Sequence, residues 1–523
     1  MDGEAHDSAG RHALAAHDPR HRAEADLRDK GLSRGSVGLI SSVVLGISSV
    51  APAYALTATL GLLVTAVGLK APAIFIAGFI PMFLTAYGYR ELNKVAPDCG
   101  SSFTWATKAF GPYIGWMCGW GLVVAIIIVL SNLAGVAVSF FYLFIARLTG
   151  VESIADLAGN KPVNVLTCLT FVAIATLIAY RGITATERVQ YILVGFQMVM
   201  LVVFVVMLFI GIGRADNPRS IGFSLDWFHP FTGLELSAFV AGVSASIFAF
   251  WGWDTSFSVN EESRDSDKTP GRAGLLCVVT ILVTYLVVAV AAMMYAGIGG
   301  EGTGLGNEAT TDNVFAALAG PTMGGAGLLL FLAVLASSAA SLQTTFLPAS
   351  RTLLAMGTYR AIPPRFASVH PRFRIPAFAT LMCGIGTSVF YTVLTIFSQN
   401  VLSDTIAALG IMICFYYGLT AFACVWYFRK ELFASPANFV FKFAFPLVGG
   451  LMLATVFVIL LKDSFDPSYG SGASIAGVGL VFVLGLGVLV LGGVLMLICR
   501  ARYPAFFRGE TLAKDTPSLV VAD

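Results

Sequence analysis

The chain has 523 residues, of which 57% are hydrophobic and only 12% are charged, and its formal net charge is +2. Soluble globular domains carry about 25% charged residues, so this composition excludes them and indicates an integral membrane protein. The long, continuous apolar segments exclude the ~10-residue alternating strands of an outer-membrane barrel and predict an all-α polytopic fold. Neither the small net charge nor the spacing of the eight cysteines points to nucleic acid, a metal or a cofactor.

Residues 1–35 mix acidic and basic side chains and contain no apolar core. They cannot form a signal peptide, and we predict a disordered cytosolic tail. About twelve apolar spans follow, each bounded by charges or by Gly/Pro clusters. They lie near residues 36–67, 71–89, 112–146, 163–180, 187–213, 235–259, 273–298, 325–356, 377–397, 403–428, 438–461 and 474–499. Residues 501–523 are predicted to be a cytosolic C-terminal tail.

The distribution of Lys and Arg over alternate loops predicts the orientation in the membrane. With both termini in the cytosol, the cytosolic segments hold 26 of these residues and the opposite side holds 6. We therefore expect a multi-pass protein of the plasma (inner) membrane with cytoplasmic termini. The basic group from Arg351 to Arg374 either serves this charge bias or binds the head groups of membrane lipids.

Span one contains helix breakers in the middle of a membrane segment. The apolar run Val37–Val67 is longer than the ~20 residues that cross the hydrocarbon core, and Gly46 and Pro52 interrupt it. A break frees backbone N–H and C=O groups, which a membrane tolerates only where they face protein, a cavity or a ligand. The sequence therefore places a candidate binding site in this span.

Span six is interrupted in the same way. Its apolar run contains Ser244, Ser246, Gly252 and Asp254. An acid at membrane depth is costly to bury without a partner, so Asp254 is a candidate functional residue. It could carry a proton, position the broken segment or attract a cation, and the alternative is that it only caps the second half-helix.

Breaks in spans one and six fall at matching positions of two five-helix halves, residues 36–213 and 234–428. This pattern predicts a 5+5 inverted repeat with its site near the middle of the membrane, and residues 429–500 would form two peripheral helices. The alternative is that Gly and Pro produce simple kinks, which are common in membrane helices.

Four segments resemble the amino acid, polyamine and organocation (APC) superfamily of permeases, and the resemblance covers about residues 36–500. The segments, in chain order, are GISSVAPAY in span one, YRELNKVAPDCGSSFTWATKAFGPYIGWMCGW after span two, FAFWGWDTSFSVNEESRDSDKTPGRA in and after span six, and ASRTLLAMGTYRAIPPRFASVHPRFRIPAFAT between spans eight and nine. The resemblance implies the leucine-transporter-like fold, with helices one and six broken, and transport by alternating access.

The resemblance also implies a substrate site. The backbone amides of the first break would bind a substrate carboxylate, since free N–H groups at a half-helix terminus attract anions. Carbonyl groups at the end of the first half of helix six would face an amino group, and Phe248 would close over the substrate. The residues are Ser48, Ser49, Val50 and Ala51 in span one, and Phe248, Ala249, Trp251 and Gly252 in span six. The alternative for the aromatic residues is ordinary packing.

Two groups of residues are candidates for coupling transport to an ion gradient. Many proton-coupled relatives carry a Lys in helix five, and counting along this chain puts Gln197 at that position, which also resembles some putrescine importers. Hydroxyl groups of Ser337, Ser338 and Ser341 could help to bind sodium, although small hydroxylated residues also serve helix packing. The acidic loop Glu261–Asp267 is expected either to pair with basic loops or to stay solvated.

We expect a secondary transporter and no enzyme, because no span contains a His and the chain has no H-E-x-x-H, G-x-S-x-G or P-loop motif. The expected substrate is a neutral or modestly polar α-amino acid, moved by proton-coupled symport through the plasma membrane. A polyamine such as putrescine, a cationic amino acid, sodium coupling and exchange remain open.

Overall fold

The computed structural model describes residues 30–213, 219–230, 233–398 and 400–517. The α-helices are α1 (Leu39–Val50), α2 (Pro52–Val67), α3 (Ala71–Val95), α4 (Ser102–Phe110), α5 (Pro112–Thr149), α6 (Lys161–Ala179), α7 (Ile183–Ile212), α8 (Leu236–Phe250), α9 (Thr255–Ser258), α10 (Thr269–Ala296), α11 (Val314–Met323), α12 (Gly327–Thr358), α13 (Ala377–Phe397), α14 (Val401–Tyr427), α15 (Pro436–Asn438), α16 (Phe445–Asp463), α17 (Leu480–Phe482), α18 (Val488–Arg502) and α19 (Pro504–Phe507). Strands β1 (Ser474–Ile475) and β2 (Val478–Gly479) form a small antiparallel hairpin.

Short 3₁₀ segments connect several of these helices, and π-helical turns open two of the later spans. The 3₁₀ segments are Gly68–Lys70, Glu152–Gly159, Leu225–Phe228, Asn260–Glu262, Thr311–Asn313, Gly324–Ala326 and Pro364–Ala367, and the π turns are Phe439–Ala444 and Val483–Gly487.

Ten helical segments among the described residues are long and apolar enough to cross a membrane. The first, Leu39–Val95, has 57 residues and contains both of the first two predicted spans. The shorter apolar helix Leu236–Phe250 corresponds to span six. The predicted fold class is confirmed: the chain is an all-α polytopic membrane protein, and helices one and six are broken.

Helix one breaks because Ala51 leaves the helical conformation immediately before a proline. Ala51 has φ 54° and ψ 67°, and its N–H still bonds to the carbonyl of Ile47 at the end of α1. Pro52 then starts α2, where its missing N–H costs nothing because first-turn amides have no partner in their own helix. The break predicted from Pro52 therefore lies at Ala51.

Helix six breaks between Phe250 and Thr255. Trp251 is extended, with φ −66° and ψ 145°, and Gly252 has φ 111°, a value that favours glycine. A Cβ atom at Gly252 would lie 2.9 Å from the carbonyl carbon of Ser49 and 3.0 Å from the amide nitrogen of Val50. The two breaks are therefore in direct backbone contact, which only glycine permits.

One part of the predicted N-terminal tail is ordered, which corrects the expectation for residues 30–35. Lys30 and Leu32 are buried, because Lys30 enters an ion-pair cluster and Leu32 packs against an apolar group that also holds Phe506, Phe507 and Leu512. Residues 1–29 of the predicted tail lie outside the described residues. At the other end, Leu512 packs in the same apolar group and the Thr516 carbonyl accepts a hydrogen bond from Lys108.

Candidate functional site

Helix α12 lies against the break in helix one. Ser341 donates its hydroxyl proton to the carbonyl oxygen of Ser49 at 2.7 Å, and Ser337 accepts the N–H of Tyr54 at 3.3 Å. Four residues separate the two serines, so they share one helix face. Ser338, the third proposed sodium ligand, is buried, and its hydroxyl has no hydrogen-bond partner within the described part of the chain.

A glutamine of α7 joins α1 and α12. The hydroxyl of Ser48 donates to Oε1 of Gln190 at 2.5 Å. Nε2 of Gln190 donates to the carbonyl oxygen of Ala340 at 3.2 Å and to Oε1 of Gln343 at 3.1 Å. Counting from the sequence selected Gln197, which is fully buried and has no hydrogen-bond partner among the described residues. The residue at the helix-one contact is therefore Gln190, about two turns earlier.

Phe248 on α8 packs against Tyr54 near the start of α2. Its ring contacts the ring of Tyr54 edge-on, with 6.3 Å between centroids, and both side chains are buried. The Tyr54 hydroxyl donates to the amide oxygen of Asn132 on α5. An aromatic residue of α8 is thus packed and buried at the start of α2, and its role as a lid stays a prediction.

The carbonyl groups of the helix-six break are partly engaged. The Phe248 carbonyl accepts the N–H of Trp251 at 3.0 Å, and the Ala249 carbonyl accepts the hydroxyl of Tyr285 at 2.5 Å. A carbonyl oxygen has two lone pairs, so each can accept one further bond. The Gly252 carbonyl accepts the N–H of Thr255, which starts α9.

Asp254 precedes α9 but does not cap it, because its side chain makes no capping hydrogen bond. Instead the hydroxyl of Tyr416 donates to Oδ2 of Asp254 at 3.4 Å, and the indole N–H of Trp251 donates to that hydroxyl oxygen at 2.5 Å. Oδ1 of Asp254 is buried, with no partner among the described residues. The capping alternative therefore lacks its defining contact.

Below the breaks, two buried groups of charges form one ion-pair cluster. Nζ of Lys30 lies 2.8 Å from Oδ2 of Asp98 and 2.5 Å from Oε1 of Glu261. Arg351 on α12 donates two hydrogen bonds of 2.9 Å to Glu262. Glu261 and Glu262 are thus paired and buried, whereas Asp265 of the same acidic loop is exposed. Arg351 is a partner of Glu262, so lipid binding is excluded for this residue of the basic group.

Lys30 and Asp98 each stabilise the ionised form of the other. Burial disfavours both charges, but the Lys30 ammonium and the hydrogen bonds from Tyr359 and Thr104 bring the pKa of Asp98 below its ordinary value. For Lys30, burial alone would lower the pKa, but the carboxylates of Asp98 and Glu261 raise it well above its ordinary value. Both groups therefore stay ionised near neutral pH.

Two broken helices in contact within a bundle of apolar spans are typical of membrane transporters. The chain belongs to the amino acid permease family, whose family model matches residues 37–498. The predicted membership of the APC superfamily is thereby confirmed, and so is the expectation of a transporter in place of an enzyme.

Individual relatives agree with this assignment. A methylthioribose transporter of Bacillus subtilis (strain 168) is 25% identical over 384 residues, which cover 70% of this chain and 76% of the relative. The low-affinity putrescine importer PlaP of Escherichia coli (strain K12) is 22% identical over 461 residues, covering 86% and 93%. The solved structure of MhsT in complex with L-phenylalanine has a TM-score of 0.58 at 15% identity and covers 80% of this chain and 98% of that chain, which shows a shared fold.

Proposed function

We propose that this transporter moves neutral α-amino acids across the plasma membrane by alternating access. The observation that carries the proposal is the contact between the two breaks, where the backbone of Gly252 lies against Ser49 and Val50. The site residues are buried, so the structure corresponds to a closed state of the transport cycle. Rearrangement of the half-helices would open the site to one side at a time.

The carboxylate of the substrate would bind at the start of α2. Tyr54 and Ala55 already give their N–H groups to Ser337 and Ala51. The N–H of Ala53 is then the first-turn amide of α2 without an acceptor among the described residues. It lies at the positive end of the α2 dipole, which attracts an anion. This refines the predicted set Ser48–Ala51, whose members end α1 or join it to α2.

The amino group would approach the carbonyls of the helix-six break, and Phe248 would cover the substrate. The lone pairs left on Phe248 and Ala249 are the acceptors available for an ammonium group. Backbone groups recognise the parts common to all α-amino acids. Apolar walls beside them suit a neutral side chain.

For coupling, we propose proton symport through Asp254. Its unpartnered Oδ1 and its link through Tyr416 to Trp251 put a titratable group beside the substrate site. Sodium coupling through Ser337, Ser338 and Ser341 is the alternative. The Ser338 hydroxyl has no partner within the described residues, and the other two hydroxyls keep an oxygen lone pair for a cation. We prefer the proton because Asp254 is an ionisable group next to the helix-six break.

A polyamine is the second candidate substrate, and the relative PlaP, a putrescine importer, favours it. A diamine has two ammonium groups and no carboxylate. The described part of the site offers one buried carboxylate, Asp254, and an α2 terminus that repels cations. Neutral amino acids therefore fit the charge of the site better. The loop charges support the proposed orientation, with both termini in the cytosol.

Counterflow in proteoliposomes tests the proposal. Vesicles containing the purified protein are loaded with one unlabelled compound and then placed in trace labelled compound. Neutral amino acids are expected to drive accumulation and to compete with one another, and an imposed proton gradient is expected to increase uptake. Accumulation of putrescine without competition by any α-amino acid would overturn the substrate proposal. A requirement for a sodium gradient would overturn the proton proposal.

A further inference from the structure

A cavity of about 230 Å³ lies away from the helix breaks, between α5, the start of α6, the end of α13 and the start of α14. Its α5 residues, from Asn132 to Ser139, begin about 20 residues beyond the start of that helix, which is roughly 30 Å along the axis. The cavity is therefore at the opposite end of α5 from the ion-pair cluster. In the proposed orientation it faces the outside of the cell.

The cavity wall carries one basic and one acidic side chain. Lys161 donates to the carbonyl oxygen of Thr395 at 3.2 Å, and Oδ2 of Asp312 accepts a hydrogen bond from Asn400 at 2.6 Å. Within the described residues, neither charge has an oppositely charged partner. Lys161 is exposed and Asp312 is half-buried, so both charges are open to a solute that enters the cavity.

The rest of the wall combines aliphatic residues, such as Val136, Val401 and Leu402, with polar side chains. The polar members are Asn132, Ser139, Asn164, Asn313 and Tyr391. These amides and hydroxyls both donate and accept hydrogen bonds. A cavity of this volume has room for several water molecules, and therefore for a small organic molecule.

We propose that this cavity is a second binding site, which takes a small zwitterion such as an α-amino acid. A zwitterion supplies a carboxylate to Lys161 and an ammonium to Asp312 without adding net charge. A simple anion or cation would satisfy only one of the two. The inference goes beyond the proposed function, because the cavity shares no residue with the helix breaks.

The cavity has a physical connection to the central site. Asn132 lines it, donates to Thr405 at 2.6 Å and accepts the hydroxyl of Tyr54. Tyr54 in turn contacts Phe248 over the start of α2. A zwitterion in the cavity would therefore lie two side chains away from the lid.

Protection of a local thiol tests the proposal. Among the described cysteines only Cys499 is not buried, so a Cys499→Ser background allows selective labelling of Ser139→Cys. L-alanine at ten times its half-protecting concentration is expected to slow labelling about tenfold. Propionate and ethylamine, which each lack one charged group of alanine, are expected to protect at much higher concentrations only.

Charge variants supply the controls. Lys161→Met and Asp312→Asn are each expected to abolish protection, and the exchange of the two residues in Lys161→Asp/Asp312→Lys is expected to restore it. Lys70→Met, whose lysine pairs with Asp226 outside the cavity, should leave protection unchanged.

Absence of protection by L-alanine, or equal protection in Lys161→Met, would overturn the inference. Counterflow measured on the same samples separates this failure from failure of the proposed function. Transport without protection would contradict the second site alone. Protection without transport would contradict the proposed substrate alone.

Discussion

Replacing Lys30 by methionine removes the cation that two buried carboxylates share. Its ammonium lies 2.8 Å from Asp98 and 2.5 Å from Glu261, and all three side chains are buried. Breaking a buried ion pair by removing one partner costs roughly 3–5 kcal/mol. If this cost falls on the closed conformation, the population of states open on this side rises by about 10² to 5 × 10³.

Cys99 reports this opening. It is fully buried in the closed structure, and its sulfur lies 3.5 Å from Nζ of Lys30. In a Cys499→Ser background, the rate of thiol labelling is expected to rise about a hundredfold or more in Lys30→Met, in proportion to the open population. Lys94→Met is the matched control, because its ion pair with Glu91 is partly exposed and worth about 1 kcal/mol or less.

A change in thiol reactivity cannot produce this result. Burial and the Glu261 carboxylate already raise the pKa of Cys99, and loss of the nearby Lys30 charge would raise it further. Less thiolate would slow labelling, which is opposite to the prediction. A labelling rate of Cys99 in Lys30→Met within about twofold of the wild-type rate would refute the reasoning, because a cost of only 1 kcal/mol would already raise the rate ~5-fold.

Three further predictions concern the site and the cluster. Asp254→Asn is expected to abolish accumulation driven by a proton gradient while counterflow persists; loss of both in a well-folded variant would contradict the proton role. Phe248→Ala is expected to raise the half-saturating concentration in counterflow at least about tenfold, since the lid contact with substrate is lost, and an unchanged value would argue that Phe248 only packs. Glu262→Gln and Arg351→Met are each expected to destabilise the protein by about 3–5 kcal/mol, with most of the loss recovered in the double variant, as measured by thermal unfolding in detergent; additive losses would contradict the pairing.

Much of the fold follows from local rules that the sequence makes visible. Span lengths follow from the thickness of the membrane. Pro52 and Gly252 mark the breaks because proline lacks an N–H and glycine tolerates positive φ, and both constraints act within a few residues. The structure moves the first break to Ala51 and brings the two breaks together at Gly252.

The depth of a given residue along a uniformly apolar helix could not be predicted in the same way. Gln190 and Gln197 are seven residues apart, which is close to two full turns, so they lie on the same face of α7. Helical periodicity cannot distinguish them, and only depth in the membrane does. The contact with Ser48 selects Gln190.

The ion-pair cluster depends on contacts that are remote in sequence. Lys30 meets Asp98 across 68 positions and Glu261 across 231. In the sequence it is one charge among many in a polar tail, with no pattern that separates it from its neighbours. Only the packed structure shows that residues 30–35 belong to the folded protein.

The central claim is that the two breaks form the substrate site, and Gly252→Ala tests it most directly. The added Cβ would lie 2.9 Å from Ser49, at a φ of 111° that disfavours alanine by about 1–3 kcal/mol. Gly195→Ala on α7 is the matched control, because its Cβ would meet nothing within 4 Å. With both variants monodisperse, binding of labelled neutral amino acid is expected to fall at least about tenfold in Gly252→Ala, which is 1.4 kcal/mol or more, and to stay unchanged in Gly195→Ala. Equal binding by Gly252→Ala and the wild type would contradict the account.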